Sequence, residues 1–225
     1  MKLYNPFNQS ARIKQPARPS VKAKQDYAIK QQTISKIKAL LESNNPVILD
    51  TETTGIPRGD EDHYITELSI IDMKGRTLFS SLLAIAIPVP EKITEITGID
   101  DSMLKGKPSF DAVYEDIREI LRGRTVLGWN VSFDVQMLKI ECERLGYSTP
   151  VEDCIDVMAL YGNATAGKKW CKLAKAAEEL KIEGEQEHRS LGDCLMTLEV
   201  LKRFSADTQP CSVAKQSIDD TELPF

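Results

Sequence analysis

Val47-Ile48-Leu49-Asp50-Thr51-Glu52-Thr53-Thr54-Gly55 is a short, branched apolar run that leads into an acid, then a second acid two positions on, and stops at a glycine. Such a run, bounded by turn residues, reads as a buried strand. Residues i and i+2 of a strand share a face, so Asp50 and Glu52 point the same way where the strand leaves the core. Two carboxylates held side by side repel, and one tends to keep its proton unless a cation is present. Hard oxygen ligands of this kind suit Mg²⁺ or Mn²⁺. Taken alone, the stretch reads equally as a strand running into solvent with both acids hydrated, and the rest of the chain has to decide.

Before this strand, Ile29, Ile34, Ile37, Leu40 and Leu41 mark an amphipathic helix over 26–42, ended by Asn44-Asn45-Pro46. After it, a polar loop over 56–64 leads to Ile65-Thr66-Glu67-Leu68-Ser69-Ile70-Ile71-Asp72. A Lys74-Gly75 turn then joins that run to a third strand over 77–83. Strands one to three make an antiparallel meander. Residues 94–104 read as short helical turns. Ser109 is placed to cap a helix whose stripe is Val113, Ile117, Ile120 and Leu121, ended by Gly123. A fourth strand is expected over 125–129, a helix over 132–145 stopped at Gly146, and a fifth strand over 154–157. Two helices close the domain, 170–180 and about 188–204. A meander followed by strand–helix alternation predicts an α/β fold. Its sheet has five strands and is mixed, three antiparallel and then two parallel, with helices on both faces.

The chain has 225 residues, enough for one core with appendages. Hydrophobic residues at 41% and charged residues at 28% describe a globular chain rather than a disordered one. The net charge of −5 does not mark a nucleic-acid binder, but its distribution is uneven. Up to Lys38 the only acid is Asp26, whereas the last seven residues carry Asp219, Asp220 and Glu222 and no base. The domain plan is a flexible basic arm over 1–24, a globular domain over 25–205 with its N-terminal helix, and a linker with an acidic tail over 206–225. The arm reads as a solvated tail or as a phosphate-contacting segment. Five scattered cysteines without a C-x-x-C pair argue against a disulfide framework or a zinc knuckle. With no signal peptide and no long apolar run, the expectation is a cytoplasmic protein with no membrane contact.

Two further stations carry chemistry. In Asn130-Val131-Ser132-Phe133-Asp134 a strand ends and a helix begins, and Asp134 falls in the first helical turn, where the dipole favours an anion. In His188-Arg189-Ser190-Leu191-Gly192-Asp193, Asp193 can look inward from a helix while His188 overhangs from its fraying end. Asp134 also reads as a plain helix stabiliser, and His188 as a surface histidine. Four acids at strand ends and helix starts nevertheless fit a site for paired divalent ions.

Asp50-x-Glu52, Asn130-x-x-Phe133-Asp134 and His188-x-x-x-x-Asp193 together resemble the three sequence blocks of the DEDDh 3′→5′ exonucleases. These are relatives of the epsilon proofreading subunit of bacterial DNA polymerase, within the ribonuclease H-like superfamily. The likeness runs from about 47 to 202 and includes Ile65 to Leu68, Ile96 to Ile99 with Met103-Leu104, and Trp170-x-x-Leu173. A sister class carries a tyrosine four residues before the last acid; Arg189 stands there, so the histidine version applies. The resemblance implies that Asp50, Glu52, Asp134 and Asp193 hold two Mg²⁺ or Mn²⁺ ions. It implies that His188 takes the proton of the attacking water and that 5′-mononucleotides leave the 3′ end of single-stranded DNA, with RNA trimming as the alternative substrate. Thr53, Thr54, Gly55, Gly98 and Ile99 would cradle the terminal nucleotide, and Asn130 would hold the ligand loop or touch the strand. Trp129 departs from the usual small residue or histidine and reads as a base-stacking or a packing side chain.

The end of the chain, Asp219-Asp220-Thr221-Glu222-Leu223-Pro224-Phe225, is similar to the acidic tip of bacterial single-stranded-DNA-binding proteins. Asp219, Asp220, Leu223, Pro224 and Phe225 would dock a replication or repair partner through a basic-rimmed pocket. A disordered acidic tail is the other reading, as is an end-binding adaptor recruited through it.

Overall fold

The computed structural model describes residues 20–57, 62–165, 170–183 and 188–206. The expected docking tip and most of the basic arm lie outside them.

In chain order the elements are α1 (Val21–Glu42), β1 (Val47–Thr53), β2 (Ile65–Asp72), β3 (Thr77–Leu82), α2 (Glu91–Thr97), α3 (Asp101–Leu104) and α4 (Phe110–Leu121). They continue with β4 (Thr125–Gly128), α5 (Val131–Leu145), β5 (Asp153–Asp156), α6 (Val157–Ala164), α7 (Leu173–Glu179) and α8 (Ser190–Ala206). The five strands lie in the order β3-β2-β1-β4-β5. β1 pairs antiparallel with β2, and β2 with β3, while β1–β4 and β4–β5 are parallel. This is the expected mixed sheet, of the ribonuclease H-like kind.

Helices cover both faces, and β1 shows how its alternation sorts residues between them. Ile48 packs with Ile37 of α1, Tyr161 of α6, Ala176 of α7 and Leu198 and Leu201 of α8. Val47 and Leu49 pack with Ile117 of α4 and Leu138 of α5 on the other side. Carried two residues further, the same period puts Asp50 and Glu52 on the α8 face and Thr51 on the α5 face. β2 lies inside the sheet with both faces covered, so all eight of its residues are buried.

The parallel pairing of β1 with β4 is short, spanning only Val47 with Val126 and Ile48 with Leu127. Gly128 marks where they part. A Cβ there would lie 2.7 Å from the Leu49 carbonyl oxygen and 3.1 Å from Val131, so only glycine lets the chain turn into α5. The β1–β2 ladder also shifts register between Glu52 and Thr53. Both departures fall at the carboxyl end of β1, the end at which sites form in sheets of this kind.

Several element bounds differ from the sequence reading. α1 starts at Val21, capped by Ser20, whose Oγ accepts from Ala23 N at 3.1 Å. Residues 21–24, expected in the arm, are its first turn; Val21, Lys22 and Lys24 are exposed there, so the turn buries no apolar stripe. Val157 opens α6 rather than extending β5, because Asp156 caps that helix through Oδ1, accepting from Met158 N at 2.9 Å and Ala159 N at 3.3 Å. α6 itself was not anticipated. α7 begins at Leu173 rather than at 170, and α8 at Ser190, so His188 precedes the helix.

Ile37 is 1% exposed, and α1 seals the α6–α8 side of the sheet. Ile37→Ala is expected to lower the unfolding free energy by about 2–5 kcal/mol in urea denaturation. A change within ~0.5 kcal/mol would mean that α1 is an appendage rather than part of the fold.

Candidate active site

Carboxylate oxygens of Asp50, Glu52 and Asp193 all lie within 4.8 Å of one another. Two come from alternate positions on β1, and the third comes from the first turn of α8, whose Leu198 and Leu201 pack with Ile48. The strand period and the helix docking together make the cluster, although its members are up to 143 positions apart (193 minus 50) along the chain.

Asp134 reaches the same end of β1 from the other side. β4 has ended, so beyond Ile48 the outer edge of β1 lacks a strand partner, and Asp134 takes that place. Its Oδ1 accepts from Thr51 N at 2.9 Å and from Thr51 Oγ at 2.7 Å. Both bonds fall on one oxygen. Asp134 is 3% exposed, and its charge is among those acting on Asp50. Asp134 therefore stands beside the three clustered acids, tied to the residue between the two β1 acids. Thr51 was not singled out from the sequence.

The concentration of negative charge has a large electrostatic effect. Burial, followed by the charges of Asp134, Asp193, Glu52 and Glu67, holds the Asp50 carboxyl well above the ordinary carboxylate range. Burial and the charges of Asp193, Glu67 and Asp134 push Glu52 up to about 9, with Arg189 acting in the opposite direction. Burial raises Asp134 to about 7 against the lowering effect of its Thr51 bonds. Acids that burial and like charges push toward the protonated form are the groups from which a divalent ion displaces protons. The donor set is all carboxylate oxygen, which fits a hard cation such as Mg²⁺ or Mn²⁺ and not a soft one. Asp50, Glu52 and Asp193 are the residues that fit such an ion, with Asp134 beside them.

His188 is exposed and adopts a left-handed backbone with φ of +48°. It stands just before Arg189, which forms a two-toothed ion pair with Glu67 of β2. Neither Glu67 nor Arg189 was assigned a site role from the sequence. A signal was present, since Glu67 is an acid in the middle of a strand with no exposed face.

The residues expected to cradle a nucleotide divide into two groups. Thr53 and Thr54 are buried, and their hydroxyls serve the loop itself. Thr53 Oγ donates to Gly55 O at 2.9 Å, and Thr54 Oγ accepts from Tyr64 N at 3.0 Å. Gly55 abuts the His63 ring, which a Cβ would approach to 3.0 Å. Of the other pair, Gly98 is exposed in a left-handed turn with φ of +70°, while Ile99 is fully buried. Ile99 thus anchors the turn, and only Gly98 faces outward. Asn130 takes the left-handed conformation that asparagine tolerates, φ +61°, and its N–H donates to Asp156 Oδ1 at 3.1 Å. Trp129 packs: its ring lies 5.9 Å from that of Tyr161, and its Nε1 donates to Cys171 O at 2.8 Å.

Comparison with known proteins agrees with this architecture. The RNase T family model, described as an exonuclease, matches residues 47–201. Over 77% of this chain and 95% of its own length, the uncharacterized exonuclease CP81 of Escherichia phage 186 is 30% identical. The 3′-5′ exonuclease DinG of Bacillus subtilis is 28% identical over 70% of this chain, but only 18% of DinG is spanned. Among solved structures, a 3′-exonuclease that recognises the histone mRNA stem-loop superposes with a TM-score of 0.62 at 17% identity, covering 82% of this chain and 72% of that one. Escherichia coli exonuclease I bound to a dT13 oligonucleotide gives 0.58 at 17%, covering 72% and 41%. The fold is of the ribonuclease H-like kind. The chain belongs to the RNase T exonuclease family. Among the described residues no helix is long and apolar enough to cross a membrane.

The raised acids fix the sign of a pH dependence. Between the ordinary glutamate value of 4.5 and the folded value of about 9 for Glu52, the native state binds more protons than the unfolded one. Stability without metal should therefore fall as pH rises through that window. In EDTA, the Tm from calorimetry is expected to drop as pH rises between the two glutamate values, and saturating Mg²⁺ should raise Tm more at the upper end of that window than at the lower. A metal response independent of pH would mean that these acids do not release protons to the ion.

Proposed function

We propose that this protein is a divalent-metal-dependent 3′→5′ exonuclease that hydrolyses single-stranded DNA ends to 5′-mononucleotides. The observation that carries this reading is the meeting of Asp50, Glu52 and Asp193 within 4.8 Å at the carboxyl end of β1, in a chain of exonuclease family. When bound, two Mg²⁺ or Mn²⁺ ions would neutralise charge on the attacking and leaving oxygens of an in-line displacement at phosphorus. Asp50, Glu52, Asp193 and Asp134 are the groups that would hold them.

The chain's own residues supply the rest. Thr51 fixes Asp134 through two bonds to one oxygen, which sets that carboxylate relative to Asp50 and Glu52. The closed loop from Thr53 to Gly55 offers backbone rather than hydroxyls to the terminal nucleotide. Gly98, exposed in its turn, offers a second backbone surface. His188, exposed ahead of α8, takes the proton of the attacking water at an imidazole nitrogen.

The DNA reading is supported by the likeness to exonuclease I with its bound dT13. A second reading, trimming of RNA 3′ ends, is favoured by the likeness to the 3′-exonuclease of histone mRNA. The two differ in whether the pocket admits or needs the 2′-hydroxyl. Digestion of matched, 5′-labelled DNA and RNA oligomers separates them. The expected result is a ladder shortening from the 3′ end, faster on DNA, and a faster RNA ladder would transfer the proposal to RNA.

Asp50→Asn and EDTA are each expected to abolish cleavage of a labelled dT oligomer, and turnover persisting in EDTA would remove the metal from the mechanism. His188→Ala is expected to lower kcat by roughly 10²–10⁴-fold. Unchanged turnover would dismiss His188 as the proton acceptor.

A further inference from the structure

Glu67 stands directly opposite Glu52 in the β1–β2 register. Opposed residues of an antiparallel pair project to the same face. Glu67 is only 5% exposed, so a further carboxylate is buried next to the acidic cluster. It does not belong to that cluster. Its oxygens are engaged elsewhere. Oε1 accepts from Arg189 Nη2 at 2.5 Å, and Oε2 accepts from Arg189 Nε at 3.0 Å and from Ser190 N at 2.9 Å.

Arg189 occupies a junction. Its guanidinium grips Glu67 in the fork geometry that only arginine provides. Its carbonyl accepts from Asp193 N at 3.0 Å, within the first turn of α8. Its other neighbour along the chain is His188, held at φ +48°. The next residue, Ser190, is fully buried and fastened to β2 as well, with its Oγ 2.7 Å from Ser69 Oγ. Two successive residues therefore bolt the entry of α8 to β2. The exposed histidine lies outside α8, one residue before this attachment.

We propose that Glu67 and Arg189 form a positioning clamp that holds His188 over the reaction centre. The pair does not touch the reacting atoms; it acts through the histidine. This rests on the reading of His188 as the proton acceptor. Loss of Arg189 would leave His188 free to sample orientations away from the attacking water, so turnover falls while the strand still binds.

The test is a kinetic cycle on a short dT oligomer with Mg²⁺, using the full chain and H188A, R189A and H188A/R189A. R189A is expected to lower kcat by roughly 10- to 100-fold with KM within about threefold of the parent. In the H188A background the same change should cost less than about threefold further, because the group that it positions is gone. R189K keeps the charge and loses the fork, and is expected to recover little of kcat. Where R189A does not fold, by circular dichroism, E67Q replaces it in the same cycle, since glutamine keeps the shape without the ion pair. A double variant whose losses multiply would overturn the clamp and leave the proposed function standing. Full recovery by R189K would also overturn it. H188A with parental kcat would overturn both the clamp and the reading of His188 as the proton acceptor.

Discussion

The structure depends on keeping several carboxylates together, in a place where burial and mutual repulsion both oppose their charge. Asp50, Glu52 and Asp193 share a space less than 5 Å across, with Asp134 and Glu67 at its margin. No polypeptide gains stability from such an arrangement in the absence of a counter-charge. The fold tolerates it in two ways. Protons stay on acids that would ordinarily lose them, and two of the five acids are occupied by fixed donors, Asp134 by Thr51 and Glu67 by Arg189 and Ser190. Asp50, Glu52 and Asp193 bring carboxylate oxygens close enough together to share one cation. Burial and crowding thus fall on the same residues, as is common at candidate functional sites.

The end of β1 serves both faces of the sheet at once. Its even positions turn toward α8 and its odd ones toward α5, so consecutive residues from Leu49 to Glu52 alternate between two separate groups of neighbours. Ile48 and Asp50 face the same helix, the first through carbon and the second through charge. Thr51 faces the opposite side, and its main-chain N–H points to where β4 has stopped. Had β4 continued two residues further, its carbonyls would have claimed that N–H, and Asp134 would have lost its anchor. Gly128, unable to accept a Cβ beside the Leu49 carbonyl, enforces the divergence.

The loop after β1 is held with comparable care. Its base is closed by Thr54 and Tyr64 through both backbone and hydroxyl. From α5, Glu141 accepts from Ile65 N at 2.9 Å, and Arg144 donates to His63 O at 2.7 Å while lying 3.9 Å over the Tyr64 ring. Those contacts fix where the loop leaves the sheet, and with it the backbone of Thr53 to Gly55. The hydroxyls of Thr53 and Thr54, which the sequence offers to a ligand, are used within the loop itself.

Much of this was legible in the chain. The branched apolar run from Val47 gave the strand, and the period of two gave the shared face of its acids. The turn at Lys74-Gly75 gave the meander, and the spaced motifs marked Asp50, Glu52 and Asp193, which the fold brings together. These are local signals, carried by residues near one another. Tertiary structure decided what depends on distant partners: that Asp193 joins Asp50 and Glu52 while Asp134 is tethered beside them, that Ile99 is core and Trp129 is packing, and that Glu67 is held by Arg189 across 122 positions. A side chain's type and spacing follow from its own segment, but its partner is chosen only when separate elements dock, and no local pattern records which elements those will be.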